Sequence, residues 1–78
     1  MRITYDPRYN IAYIRLQEKT AQVETIRVSA ELNVDIAPDS TVYGLELLNA
    51  NTQLFPVDNG KLVVVNEAHG GAQEVDLL

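Results

Sequence analysis

Asp6, Asp35 and Glu46 are the side chains of this sequence from which chemistry could most readily be built. Two carboxylates brought together can work as general acid and base, or hold a hard cation such as Mg²⁺ or Ca²⁺. Whether they meet depends on the strands that carry them. From Glu31 the chain alternates, with Leu32, Val34 and Ile36 on one side and Asn33 and Asp35 on the other. Ala37-Pro38-Asp39-Ser40-Thr41 reads as a turn, because Pro cannot continue a central strand. Val42 to Leu48 then returns, with Tyr43, Leu45 and Leu47 on one side and Val42, Gly44 and Glu46 on the other. Pairing about this turn sets Ala37 opposite Val42, Asp35 opposite Gly44, and Asn33 opposite Glu46. Asp35 and Glu46 become diagonal neighbours on one face, roughly 7–8 Å apart. Such a pair could hold an ion, or could be two solvated groups on a polar face. Gly44 opposite Asp35 marks a close backbone approach, a bulge, or room for a neighbouring aromatic ring.

The other candidates have plainer explanations. Asp6 opens Asp6-Pro7-Arg8-Tyr9-Asn10, where an Asp before Pro accepts backbone hydrogen bonds and Asn tolerates a left-handed conformation. His69, beside Gly70-Gly71, is the sole histidine and the chain has no cysteine, so no transition-metal site is expected from one copy. The two glycines lack the Lys and the helix start of a phosphate loop. No motif calls for a cofactor, and a catalytic residue cannot be named. Tyr13 falls on the same side as Arg15, which makes these two a candidate strip for a partner. The competing reading is a half-buried tyrosine that covers the open side of a sheet.

Around these residues the pattern is that of antiparallel strands. Ile3 and Tyr5 alternate with polar neighbours, and Ile11 to Gln17 follows the 6–10 turn with Ala12, Ile14 and Leu16 on one face, giving a first hairpin. Residues 18–22 form a polar connection, Val23 to Val28 is a third strand, and Ser29-Ala30 interrupts it. The strands about the 37–41 turn make a second hairpin. Leu48 to Phe55 suits a short helical turn that Pro56 ends. Asp58-Asn59-Gly60 is a turn, Lys61 to Asn66 a strand, and Val75 and Leu77 alternate as an edge strand or a frayed tail.

Composition narrows the function. Seventy-eight residues suffice for one small domain, whose core supplies only roughly 3–5 kcal/mol. Disulfides are excluded, which leaves good packing or association with a second copy. Eleven acidic residues against six basic ones give a formal net charge of −5, and the basic residues are scattered. Nucleic-acid and anionic-membrane binding draw on clustered Lys and Arg, so both are disfavoured. The start of the chain already alternates like a strand, and Leu62-Val63-Val64-Val65 is far short of the ~20 apolar residues of a membrane helix. The cytoplasm is the expected compartment.

The stretches Ile3-Thr4-Tyr5-Asp6-Pro7, Ala12-Tyr13-Ile14-Arg15-Leu16, Leu32-Asn33-Val34-Asp35-Ile36 and Val42-Tyr43-Gly44-Leu45-Glu46-Leu47-Leu48-Asn49-Ala50 are similar, in order and spacing, to the DUF2283 or YuzE-like family of small proteins. Asp6, Asp35 and Glu46 all fall inside them. The resemblance covers roughly residues 1 to 50. It implies a compact β-meander-type domain with a helical element after the Gly-x-Glu strand, and no established activity. Some members are similar in gene setting to antitoxin partners of small toxins, which implies a protein-binding module. Residues 57 to 78 run past the usual end of the family.

The expectation is therefore a mainly β domain spanning 1–78, made of antiparallel hairpins with one short helical segment after the fifth strand. Its expected role is an interaction or oligomerisation module, partnered by itself as a homodimer and by another small protein such as a toxin. An interface would use Tyr13, Arg15, Val63 and Val65. The alternative is a domain that binds a small ligand or divalent cation, or an enzyme, through Asp35 and Glu46.

Overall fold

A computed structural model describes residues 1–18 and 22–77. Among the described residues seven strands form in two antiparallel sheets: β1 (Arg2–Asp6), β2 (Ile11–Arg15), β3 (Glu24–Ser29), β4 (Leu32–Ile36), β5 (Val42–Leu48), β6 (Lys61–Asn66) and β7 (Gly71–Asp76). A five-residue helix, α1 (Ala50–Leu54), follows β5, and a tight turn at Asp58–Gly60, whose three residues all hold positive φ (57°, 55° and 72°), leads into β6. The mainly β architecture with a short helix after the fifth strand is as the sequence implies. Pro56 closes the helical segment, since it has no backbone N–H with which to continue the helical hydrogen bonds. Part of the polar connection expected over 18–22 lies outside the described residues.

The first sheet has the order β1-β2-β5-β4-β3. A meander (β3-β4-β5) is thus joined to a hairpin (β1-β2) through the β2–β5 pairing. β5 is the longest strand and takes a neighbour on each side; it contains no proline that would break either ladder. Charged Glu24 and Arg27 stand on the edge strand β3, a composition that discourages edge-to-edge aggregation.

The register sorts the side chains into rows across all five strands. Ile3, Ile14, Leu45, Val34 and Ile26 form one apolar row, and Tyr5, Ala12, Leu47 and Leu32 form most of the next. On the opposite face, Thr4, Tyr13, Glu46, Asn33 and Arg27 make a polar row beside Arg2, Arg15, Gly44, Asp35 and Thr25. The period of two in each strand is what segregates the two faces.

Three details differ from the pattern read in the sequence. β2 stops at Arg15, so Leu16 and Gln17 lie beyond the strand, where their amides both bond to the Tyr43 carbonyl. The second hairpin keeps the expected Asp35–Gly44 and Asn33–Glu46 pairs, but Val42 pairs with Ile36 rather than Ala37. The register shifts because Tyr43 of β5 falls as a bulge between the Asp35–Gly44 and Ile36–Val42 pairs; in the turn itself Ser40 sits in the left-handed region at φ 73° and the Ala37 N–H donates to the Thr41 carbonyl. Thirdly, Ser29 ends β3 and pairs with Leu32, so the interruption is a tight turn at Ala30-Glu31, preceded by a bulge between Arg27 and Ser29.

The apolar face is only partly covered. Phe55, just after α1, meets Tyr5 edge-on with ring centroids 5.0 Å apart. Leu62, Val75 and Leu77 approach Met1, Ile3 and Tyr5. Both covers lie toward the β1 side. Among the described residues the buried apolar ones are small, Ala12, Ala37 and Ala50, and no large side chain is fully buried. Ile14, Leu32, Val34, Leu45 and Leu47 are each left half-buried.

Candidate functional site

The polar face carries the most organised set of side chains. Asp35, on β4, is 7% exposed and is the described buried charged residue. Its Oδ1 accepts a hydrogen bond from the Thr25 hydroxyl at 2.6 Å, across the β3–β4 pair. Its Oδ2 accepts one from the Tyr13 hydroxyl, also at 2.6 Å. Tyr13 stands on β2, two strands away, so its ring must cross β5. It does so over Gly44, where an added Cβ would overlap the Tyr13 hydroxyl and ring. The missing side chain of Gly44 is thus the space through which β2 reaches β4.

These contacts restrain the tyrosine. Burial, then the hydrogen bond to Asp35, then the negative charge of Asp35 push the Tyr13 phenol up to about 12, while Arg15 acts in the opposite sense. Deprotonation would strand two negative charges where one hydroxyl donor now satisfies a carboxylate.

Glu46 lies beside this tie. Its Oε1 accepts a hydrogen bond from Asn33 Nδ2 at 2.9 Å, its direct cross-strand partner. Arg15 completes the neighbourhood: a terminal guanidinium nitrogen lies 3.6 Å from Glu18, while Nε is buried with no partner among the described residues. Thr4, Tyr13, Arg15, Thr25, Asp35 and Glu46 together line a shallow depression of about 480 Å³.

The expected site residues are therefore distributed as follows. Asp35 and Glu46 share one face on neighbouring strands, with Asp35 opposite Gly44. Tyr13 and Arg15 belong to the same depression rather than to a separate strip. Val63 and Val65 lie far off in chain order, on one side of β6; Val65 is exposed and Val63 half-buried. Asp6 holds its turn: Oδ1 accepts from the Arg8 backbone N–H at 2.9 Å, and the Arg8 side chain pairs with both oxygens. The Arg8 side-chain hydrogen bond is the main cause holding its carboxyl below the usual aspartate value. His69 lies in the turn between β6 and β7. Among the described residues no three His, Cys, Asp or Glu side chains group as a metal site would require.

Two features were not read from the sequence. One is the partnership of Asp35 with Tyr13 and Thr25, whose only advance sign was the bare Gly44 opposite Asp35. The other is a cluster of asparagines at the end of β5. Asn10 Oδ1 accepts from the Asn51 backbone N–H at 2.8 Å, and Asn10 Nδ2 donates to the side-chain oxygens of Asn49 and Asn51. Asn10 and Asn49 both hold positive φ, 55° and 52°, a conformation asparagine tolerates better than most residues. The first turn thereby caps the start of α1 from a distance of some forty residues in sequence.

A mainly antiparallel domain with one apolar and one polar sheet face is the class that fold and site define. The family model for DUF2283, a protein family of unknown function, matches residues 2–51, and the chain belongs to that family. The match takes in β1 to β5 and the first residues of α1, and thus every residue of the Tyr13–Gly44–Asp35–Thr25 tie. No curated protein and no solved structure matches the chain. Among the described residues no helix is long and apolar enough to cross a membrane.

Proposed function

We propose that this domain is a self-associating interaction module, in which two copies pack apolar sheet face against apolar sheet face. The observation that carries the reading is surface area. The chain exposes 5728 Å², whereas a compact monomer of 8.7 kDa exposes about 4,700 Å². The excess, roughly 1,000 Å², is close to the ~800 Å² that each partner contributes to a standard protein interface. The radius of gyration of 14.0 Å points the same way, against about 11.5 Å for a compact chain of this length.

The identity of the exposed surface argues for a second copy of the chain. Part of the uncovered apolar surface lies on the sheet, where Ile26 is 43% exposed and Ile14, Val34 and Leu45 of the same row are half-buried, and part on β6 and β7, at Val64, Val65 and Val75. Sheets that pack face to face bury such rows with strands held within about 30° of each other. A like surface supplies the matching row of aliphatic side chains, and charge plays little part at its centre. A further protein, the small toxin included, would then meet a dimer.

Light scattering on the purified chain at micromolar concentration tests the proposal. The expected mass is twice 8.7 kDa. A monodisperse monomer would remove it.

A second reading is favoured by the polar depression. Its volume of about 480 Å³ falls in the range of small-ligand sites, and Glu46 has one carboxylate oxygen not taken up by Asn33. In this reading Asp35 and Glu46 hold a small polar ligand or a divalent cation. Thermal shifts with Mg²⁺ and Ca²⁺ decide the metal form of it. Equal shifts for wild type, Asp35→Asn and Glu46→Gln would end it.

A further inference from the structure

The β6–β7 hairpin forms a sheet of its own, outside the family match, and stands against the apolar side of β1. Its register sets Leu62 opposite Val75 and Val64 opposite Gln73, on one side of the arm. On the other side Lys61 lies 3.5 Å from Glu74 and 3.9 Å from Asp76, ion pairs that flank half-buried Val63 and exposed Val65. At the base, Leu62 and Val75 line with Ile3 and Tyr5 a depression of about 380 Å³. Farther out, Val64 shares the side of Leu62 and is 50% exposed. A two-stranded ribbon is marginal by itself in water, so this inner side requires a cover.

The complementary gap is at the opposite end of the five-stranded sheet. The arm and Phe55 shield the β1 side of the apolar face, while Ile26 at the β3 end of the same row is 43% exposed. We infer that in the dimer the β6–β7 arm of each copy clasps the β3 end of the other, with Val64 of one copy over Ile26 of its partner. The inference rests on the self-association proposed above and specifies its geometry.

Symmetry selects this arrangement. A twofold axis between the sheets and parallel to the strands sets β1 of one copy over β3 of the other. Each end of the sandwich then receives one arm, and the contact is reciprocal as an isologous interface requires. An axis perpendicular to the strands would bring both arms to the same end and leave the two β3 ends facing each other uncovered. Arm thickness is thus shared evenly only in the first case.

The absence of native cysteine makes the test direct. Full-length Val64→Cys and Ile26→Cys chains are unfolded and refolded together, then treated with a short bismaleimide. The expected product is the mixed 64–26 dimer, in well over the twofold excess over each like-with-like product that random pairing alone would give. Predominance of 26–26 and 64–64 links, or no link in a solution whose mass is dimeric, overturns the clasp while leaving self-association intact. A monomeric wild type removes self-association itself, and the clasp with it. In a parallel measurement, Val64→Glu raises the dimer dissociation constant about tenfold or more, as the loss of a buried valine contact requires. An unchanged constant counts against the clasp even where cross-linking is inefficient.

Discussion

Tyr13 reaches Asp35 because Gly44 has nothing in the way. That single relation makes two predictions. A Gly in a strand interior usually costs about 0.5–1 kcal/mol relative to Ala, and Gly44 has no positive φ to justify itself. Gly44→Ala should nonetheless destabilise the protein by about 1–3 kcal/mol, since the new methyl would displace the tyrosine ring. In a Tyr13→Ala background the same substitution should become neutral or stabilising. Denaturant unfolding of the four proteins of this cycle gives the sign directly, and an equal effect in both backgrounds would show that the ring does not occupy the gap.

The second prediction concerns pH. The Tyr13 phenol has its folded value raised to about 12 from the ordinary 10.0, so its protonated form is the one the fold prefers. The stability it contributes is full below pH ~10 and is lost as pH rises through about 12. Subtracting the phenolate absorbance titration of Tyr13→Phe from that of wild type should isolate an ionisation near pH 12. A difference curve centred at 10 would contradict the tie to Asp35. At this scale the sequence was half legible. The pairing of Asp35 with Gly44 follows from counting back from the 37–41 turn, and so does the vacancy for a ring. Which ring fills it depends on β2 lying beside β5, and alternation within β2 carries no information about its neighbours.

Among the elements, hairpins with marked turns were the easiest to read. Asp6-Pro7 and Pro38-Asp39 fix where the chain reverses, and the period of two fixes which side chains go inward. The strand order β1-β2-β5-β4-β3 was not legible, because it is decided by long-range burial rather than by local turns. The asparagine cap on α1 was missed for the same reason: Asn10 reads as a turn residue, and its bonds to Asn51 span the whole meander. Asn10→Gly keeps the left-handed backbone accessible while removing three side-chain hydrogen bonds. It should cost about 1–2 kcal/mol, with Asn10→Asp falling between it and wild type because only the acceptor for the Asn51 N–H survives. Thermal unfolding measures this. Equal midpoints for Asn10→Gly and wild type would show that α1 does not depend on the first turn.

For the molecule as a whole, one layer of five strands with a partial cover leaves too much aliphatic surface in water. Size and composition already indicated the shortage, since a cysteine-free chain of 78 residues has few other means of stabilising itself. What they could not indicate was its location, which includes Ile26 and Val28 on β3 and Val64, Val65 and Val75 on the arm. If two copies close that face, folding and association are coupled, and stability depends on protein concentration. Chemical denaturation at two concentrations a hundredfold apart tests this most directly. A dimer that dissociates as it unfolds gains about 2.7 kcal/mol over that range, and its midpoint should move to higher denaturant accordingly. A midpoint that stays fixed would mean that a single copy folds with its apolar face open, and would contradict the account.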